Sequence, residues 1–201
     1  MKDPVNDIAP PRYRLVLPPG FLLIPVARST DDEVADLVRR HYRDLPRDSY
    51  GPQIDRAAAQ LVASARSARD AGALDLVVPM GVAWRAPVSL TIAISTAPAP
   101  SRSTAPAADS DEEDPSPSAA RETVTTSAGE AVRETVRFTP PASADEMAPL
   151  LRLRFVWPIP GGDGELRAIC TISGKADAEL APIVDGLTEL GDLLLRTLRW
   201  D

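Results

Sequence analysis

The chain has 201 residues, 44% of them apolar and 4% aromatic, and a net charge of −7; it can build a core from Leu, Val, Ile and Ala, and nothing in its charge draws it to nucleic acid. A single cysteine, Cys170, excludes an intramolecular disulfide, and no apolar run approaches the ~18 residues of a membrane span. Residues 1–11 are polar, include three prolines and lack the basic start and apolar stretch of a signal peptide, so a cytoplasmic protein is expected.

Residues 12–17 alternate as a strand, with Tyr13, Leu15 and Leu17 on one face, and Pro18-Pro19-Gly20 ends it. Phe21 to Val26 is a second apolar run, which Pro25 stops or confines to a sheet edge. Thr30 and Glu33 have the spacing of a capping box, in which each side chain satisfies a free N–H of the other residue. Val34, Leu37, Val38 and Tyr42 then recur at helical intervals, and Leu45 before Pro46 predicts the helix end. A second helix is predicted from Pro52 to Gly72, with Ile54, Ala58, Leu61, Ala65 and Ala68 inward. Residues 74–80 and 88–96 read as an antiparallel pair, with Val88, Leu90, Ile92 and Ile94 on one face and Ser89, Thr91 and Ser95 on the other.

Composition then shifts to Ala, Pro, Ser, Thr and acid. Within 97–120 five acids (Asp109, Asp111, Glu112, Glu113 and Asp114) stand against one base, Arg102, a net −4 that leaves −3 for the rest. Such a tract cannot bury enough apolar area to offset the entropy of ordering. A disordered insertion at about 97–122 is therefore expected within a single domain spanning 1–201.

Two hairpins follow. Residues 123–126 and 131–139 flank Ser127-Ala128-Gly129-Glu130, and residues 150–157 and 165–173 flank a Pro/Gly-rich link. Leu151, Leu153, Phe155 and Trp157 alternate, as do Leu166, Ala168, Cys170 and Ile172. From about Ala178 a helix carries Leu180, Ile183, Val184, Leu187, Leu190, Leu194 and Leu198 on one stripe. The fold predicted is α+β: an antiparallel sheet of about six strands packed with two N-terminal helices and a long C-terminal helix.

Catalytic motifs are wanting. His41, the single histidine, sits on a helix with no Cys or second His beside it, and no nucleophile elbow accompanies it. Cys170 falls on the apolar face of its strand and reads as a small core residue. Pro160-Gly161-Gly162-Asp163-Gly164 lacks the Lys-Ser/Thr of a P-loop and the spacing of a dinucleotide fingerprint. No catalytic residue, metal site or cofactor is expected. The arginines of the last strands are the stronger candidates. Arg133 and Arg137 share one face of their strand, Arg152 and Arg154 lie opposite Leu151 and Leu153, and Arg167 lies opposite Leu166. If those strands are neighbours, the five make an arginine-rich face, a docking surface for a partner or a seat for the acidic tract itself, suited to carboxylates by the planar guanidinium fork.

Leu15-Val16-Leu17-Pro18-Pro19-Gly20-Phe21 resembles the opening of Mog1/PsbP-like proteins. Phe155 to Ser173, with the helix ending Thr197-Leu198-Arg199-Trp200, resembles their closing strand pair and helix. The same two ends are similar to uncharacterised actinobacterial proteins associated with type VII (ESX-like) secretion loci. The long insert, and two helices before the first internal hairpin, depart from the Mog1/PsbP-like pattern. The function expected with it is that of a non-enzymatic protein-binding accessory, adaptor or chaperone-like protein linked to type VII secretion. An immunity protein neutralising a co-encoded toxin, or an enzyme with an unrecognised site, are the alternatives. A protein partner is expected, without nucleic acid and without a membrane span.

Overall fold

A computed structural model of the protein describes residues 11–80, 87–98, 119–139, 147–175 and 177–201. The first half holds strands β1 (Tyr13–Arg14) and β2 (Phe21–Ile24), helices α1 (Asp31–His41) and α2 (Arg47–Asp70), and strands β3 (Ala73–Pro79) and β4 (Val88–Pro98). The second half holds β5 (Ala119–Thr126), β6 (Gly129–Arg137), β7 (Ala148–Pro158) and β8 (Gly164–Gly174), then helix α3 (Ala181–Arg196) and β9 (Arg199–Trp200). Strands β2 to β8 form one antiparallel sheet in the order β2-β3-β4-β8-β7-β6-β5, and β1 pairs with β9 in a small ribbon.

The class is α+β as expected, but the main sheet has seven strands rather than about six. Phe21–Ile24 joins it as an edge strand on β3, and Pro25 lies just beyond the pairing. The strand expected over 12–17 shrinks to two residues because its partner β9 is only two residues long. Beyond it, Val16 N donates to the Thr197 hydroxyl at 3.0 Å instead of to a ladder. At the edges of the insertion expected at about 97–122, Ala97 and Pro98 belong to β4 and residues 119–122 to β5; 99–118 lie outside the described residues.

Helix α1 opens as predicted, with Glu33 N donating to Thr30 Oγ1 and Thr30 N to Glu33 Oε2. It stops at His41, short of Leu45, and α2 begins at Arg47 rather than Pro52. Pro46 sets that start, its carbonyl accepting from Ser49 N and Tyr50 N at 3.2 and 3.0 Å. Pro52 sits inside α2, where its missing N–H forfeits one bond near the helix start.

Alternation decides the faces of the sheet. Leu90, Ile92, Ile94, Leu151, Leu153, Phe155, Trp157, Leu166, Ala168, Cys170 and Ile172 are fully buried, and α3 lays Val184, Leu187, Leu194 and Leu195 on that side. The helix comes close to the sheet at Gly191, where an added Cβ would lie 2.7 Å from Cys170 Sγ. Helices α1 and α2 cover the opposite side only at the β2–β3 end. There Val34, Val38, Ala58, Leu61 and Ala65 meet Ile24, Leu76, Val78 and Met80. No described helix is long and apolar enough to cross a membrane.

Candidate open sheet face

Because α1 and α2 stop at β3 and Ala93, the same side of β8, β7 and β6 carries no helix among the described residues. Three rungs of paired residues cross it. Val132, Val156, Arg167 and Ser95 form one; Glu134, Arg154, Ile169 and Ala93 the next; Val136, Arg152, Thr171 and Thr91 the third. Val132, Val136, Val156 and Ile169 are half-buried and belong to neither core. Apolar side chains interleaved with arginine are the composition of protein-binding surfaces.

The structure divides the five expected arginines. Arg152, Arg154 and Arg167 share the open face. Arg133 and Arg137 lie on the opposite face, the one α3 covers, because Ala131 of the same strand is buried there and alternation carries Arg133 and Arg137 with it. Acids of α3 hold them: Arg133 Nε donates to Asp192 at 2.6 Å, and Arg137 Nη2 to Asp185 at 3.1 Å. Arg133 and Arg137 thus tie β6 to α3 and leave the open face with three of the five arginines.

The three that remain are unequal. Arg154 Nη1 donates to Glu134 directly across the β6–β7 ladder at 3.2 Å. Arg167 donates from Nη2 and Nε to Glu165 at 3.0 and 3.3 Å. Arg152 is exposed and meets no carboxylate among the described residues; its guanidinium stands 5.2 Å above the Phe138 ring, a cation–π contact.

The other sequence candidates fall elsewhere. His41 is exposed at the end of α1, edge-on to Tyr42. Cys170 is buried under α3, and desolvation pushes its thiol up to about 12, so it carries almost no thiolate at neutral pH. The Pro160–Gly164 link is the β7–β8 turn, with Gly161 at φ 70°. Trp157 is a core residue, stacked on Phe155 and donating from Nε1 to the Thr126 hydroxyl at 2.9 Å. The acid cluster Asp109–Asp114 lies outside the described residues.

A second concave feature went unread in the sequence. A groove of about 520 Å³ opens where the β1–β9 ribbon meets β3, and Asp75 lines it. Asp75 is 6% exposed, the single buried charge among the described residues. The Tyr13 hydroxyl donates to its Oδ2. Burial first, and then the bond to Asp75, raise the Tyr13 phenol well above its ordinary value. The signal in the sequence was one acid inside the apolar run Leu74-Asp75-Leu76-Val77-Val78. Comparison of the chain with protein-family models, with curated proteins and with solved structures finds no match in any of the three.

Proposed function

We propose that the protein is a non-enzymatic protein-binding accessory, adaptor or chaperone-like in character, that receives a partner on the open face of its sheet. One observation carries this reading: Val132, Val136, Val156 and Ile169, set among Arg152, Arg154 and Arg167, lie uncovered by any described helix. A soluble domain seldom leaves such a mixed patch on a sheet without a use for it. The arginines select a partner surface that presents carboxylates beside apolar side chains. The likeness of the two chain ends to proteins of type VII secretion loci supports a secretion substrate or a component of that machinery as the partner.

The test has two stages. Proteins captured from the native host by the tagged parent chain are identified, and the purified partner is titrated by calorimetry against the parent and against Arg152→Glu/Ile169→Asp. The expected result is a loss of at least ~tenfold in affinity, more than a rim charge gives, with an unchanged melting midpoint. Equal affinities would put the contact elsewhere. A partner whose own enzymatic activity is abolished at one-to-one stoichiometry would make the protein an inhibitor of the immunity type.

A further inference from the structure

The groove beside Asp75 carries an inference independent of the open face. Its floor is built by a β-bulge: the β3–β4 register shifts between Ala73 and Asp75, and bulges re-aim a side chain out of the regular ladder. Tyr13 satisfies Oδ2, but Asp75 Oδ1 has no hydrogen-bond partner among the described residues and is shielded from water. Buried polar atoms are almost always paired, and an orphaned carboxylate oxygen asks for a donor.

The remaining lining says what kind of donor. Besides Asp75 it includes Arg12, Arg28 and Asp201; Asp201 already pairs with Arg14 at 2.5 Å, so two cations stand against the one carboxylate, Asp75, that has an oxygen to spare. A lone cation would meet both guanidiniums, and a lone anion would meet Asp75. Leu23 and Leu74 add apolar wall. We propose that this groove binds a small zwitterion, an aliphatic amino acid in the broad sense, with its ammonium on Asp75 Oδ1 and its carboxylate on Arg12 and Arg28. The volume lies within the range of small-molecule sites, roughly 300–1,000 Å³. Oδ1 is covered as the side chains stand, so binding requires a groove side chain to move aside, and the exposed Arg12 and Arg28 have that freedom.

Calorimetry on the full chain tests this with four probes. L-leucine carries adjacent charges, ε-aminocaproate carries separated ones, and isoamylamine and isocaproate each carry one. The expected result is that one of the zwitterions binds at least ~tenfold more tightly than both singly charged probes, and which one fixes the charge spacing. Asp75→Asn should lose that affinity. Since Asp75 is buried and its variant can fail to fold, Arg28→Ala, on an exposed side chain, serves as the second arm: it should weaken the zwitterion and leave isoamylamine no weaker. No binding of either zwitterion at ~10 mM, equal binding of isoamylamine, or zwitterion affinity unmoved by Arg28→Ala and by a folded Asp75→Asn would each overturn the proposal.

Discussion

The sorting of the arginines by face can be measured at Asp192. Its two carboxylate oxygens accept from Arg133 Nε and from Arg196 Nε, each at 2.6 Å, while Arg133 Nη1 also donates to Glu122 at 2.6 Å. The Arg133 and Asp192 side chains are 22% and 17% exposed. The pair therefore stands between a solvated ion pair, worth ~0–1 kcal/mol, and a buried one, whose breaking costs ~3–5 kcal/mol. Asp192→Ala leaves two mostly covered guanidiniums short of one acceptor, so a loss of ~2 kcal/mol is expected. Arg133→Gln should cost less, since Arg196 still holds Asp192. Urea denaturation of the parent, both single variants and the double variant then gives a coupling energy. The expected value is ~1 kcal/mol, and ~0.5 M NaCl should lower it only in part because the pair is largely out of solvent. A coupling below ~0.3 kcal/mol would refute the reasoning: Arg133 would then be an ordinary solvated residue, with no stronger claim to a structural role than Arg152.

Two further outcomes test the packing and the groove. Gly191→Ala should cost ~1–3 kcal/mol through its clash with Cys170 Sγ, and Cys170→Ala in the same chain should return part of that loss in the melting midpoint; no recovery would mean that α3 does not approach the sheet there. Tyr13→Phe should lower stability by ~1–3 kcal/mol at neutral pH, because the buried Asp75 loses its donor. The Tyr13 phenol is raised in the folded state, so its contribution is whole below about pH 10, where the unfolded phenol begins to ionise, and drains away as pH rises towards the folded value. The gap between parent and Tyr13→Phe should thus hold up to about pH 10 and narrow as pH rises above it, and a gap in urea midpoints that stays constant above about pH 10 would argue against the Tyr13–Asp75 bond.

How much could be read in advance follows from how one-sided each element is. Strands β7 and β8 keep one face wholly apolar, with Val156 and Ile169 the only apolar residues opposite it over 151–157 and 165–173, and α3 repeats leucine at helical spacing, so both faces and pairing were legible. Strand β6 reads Ala131-Val132-Arg133-Glu134-Thr135-Val136-Arg137, with apolar and charged residues on both faces. Period-two reasoning puts Arg133 and Arg137 together there, correctly, but cannot say which side is inward. The α3 acids that settle it, Asp185 and Asp192, are distant in sequence. The β1–β9 ribbon was legible only on one side: residues 12–17 alternate, but the two residues of β9 are too few to carry a period, and the pairing joins positions distant in sequence. The start of α2 was misplaced because two prolines, Pro46 and Pro52, both suit a helix start, and a near-terminal proline inside the helix costs too little to forbid it.

The two sets of arginines show how one residue type takes opposite roles across a single sheet. On the covered side, α3 supplies an acid for Arg133 and another for Arg137, and each pair joins a helix to a strand, so its stabilisation is spent within the fold. On the open side no overlying element among the described residues supplies acids. The partners of Arg154 and Arg167, Glu134 and Glu165, come from the sheet itself and tie strand to strand or a residue to its near neighbour. A partner's carboxylate arriving at Arg154 or Arg167 must displace a pair already made, and the exchange returns little. At Arg152 it displaces nothing: the cation rests on the Phe138 ring, which leaves the edge of its guanidinium for a bidentate acceptor. Affinity at this face should therefore concentrate at Arg152 and at the apolar residues around it, with Arg154 and Arg167 setting orientation. That ranking follows from the local pairing of each arginine rather than from the number of arginines, and the charge count of the sequence could not have given it.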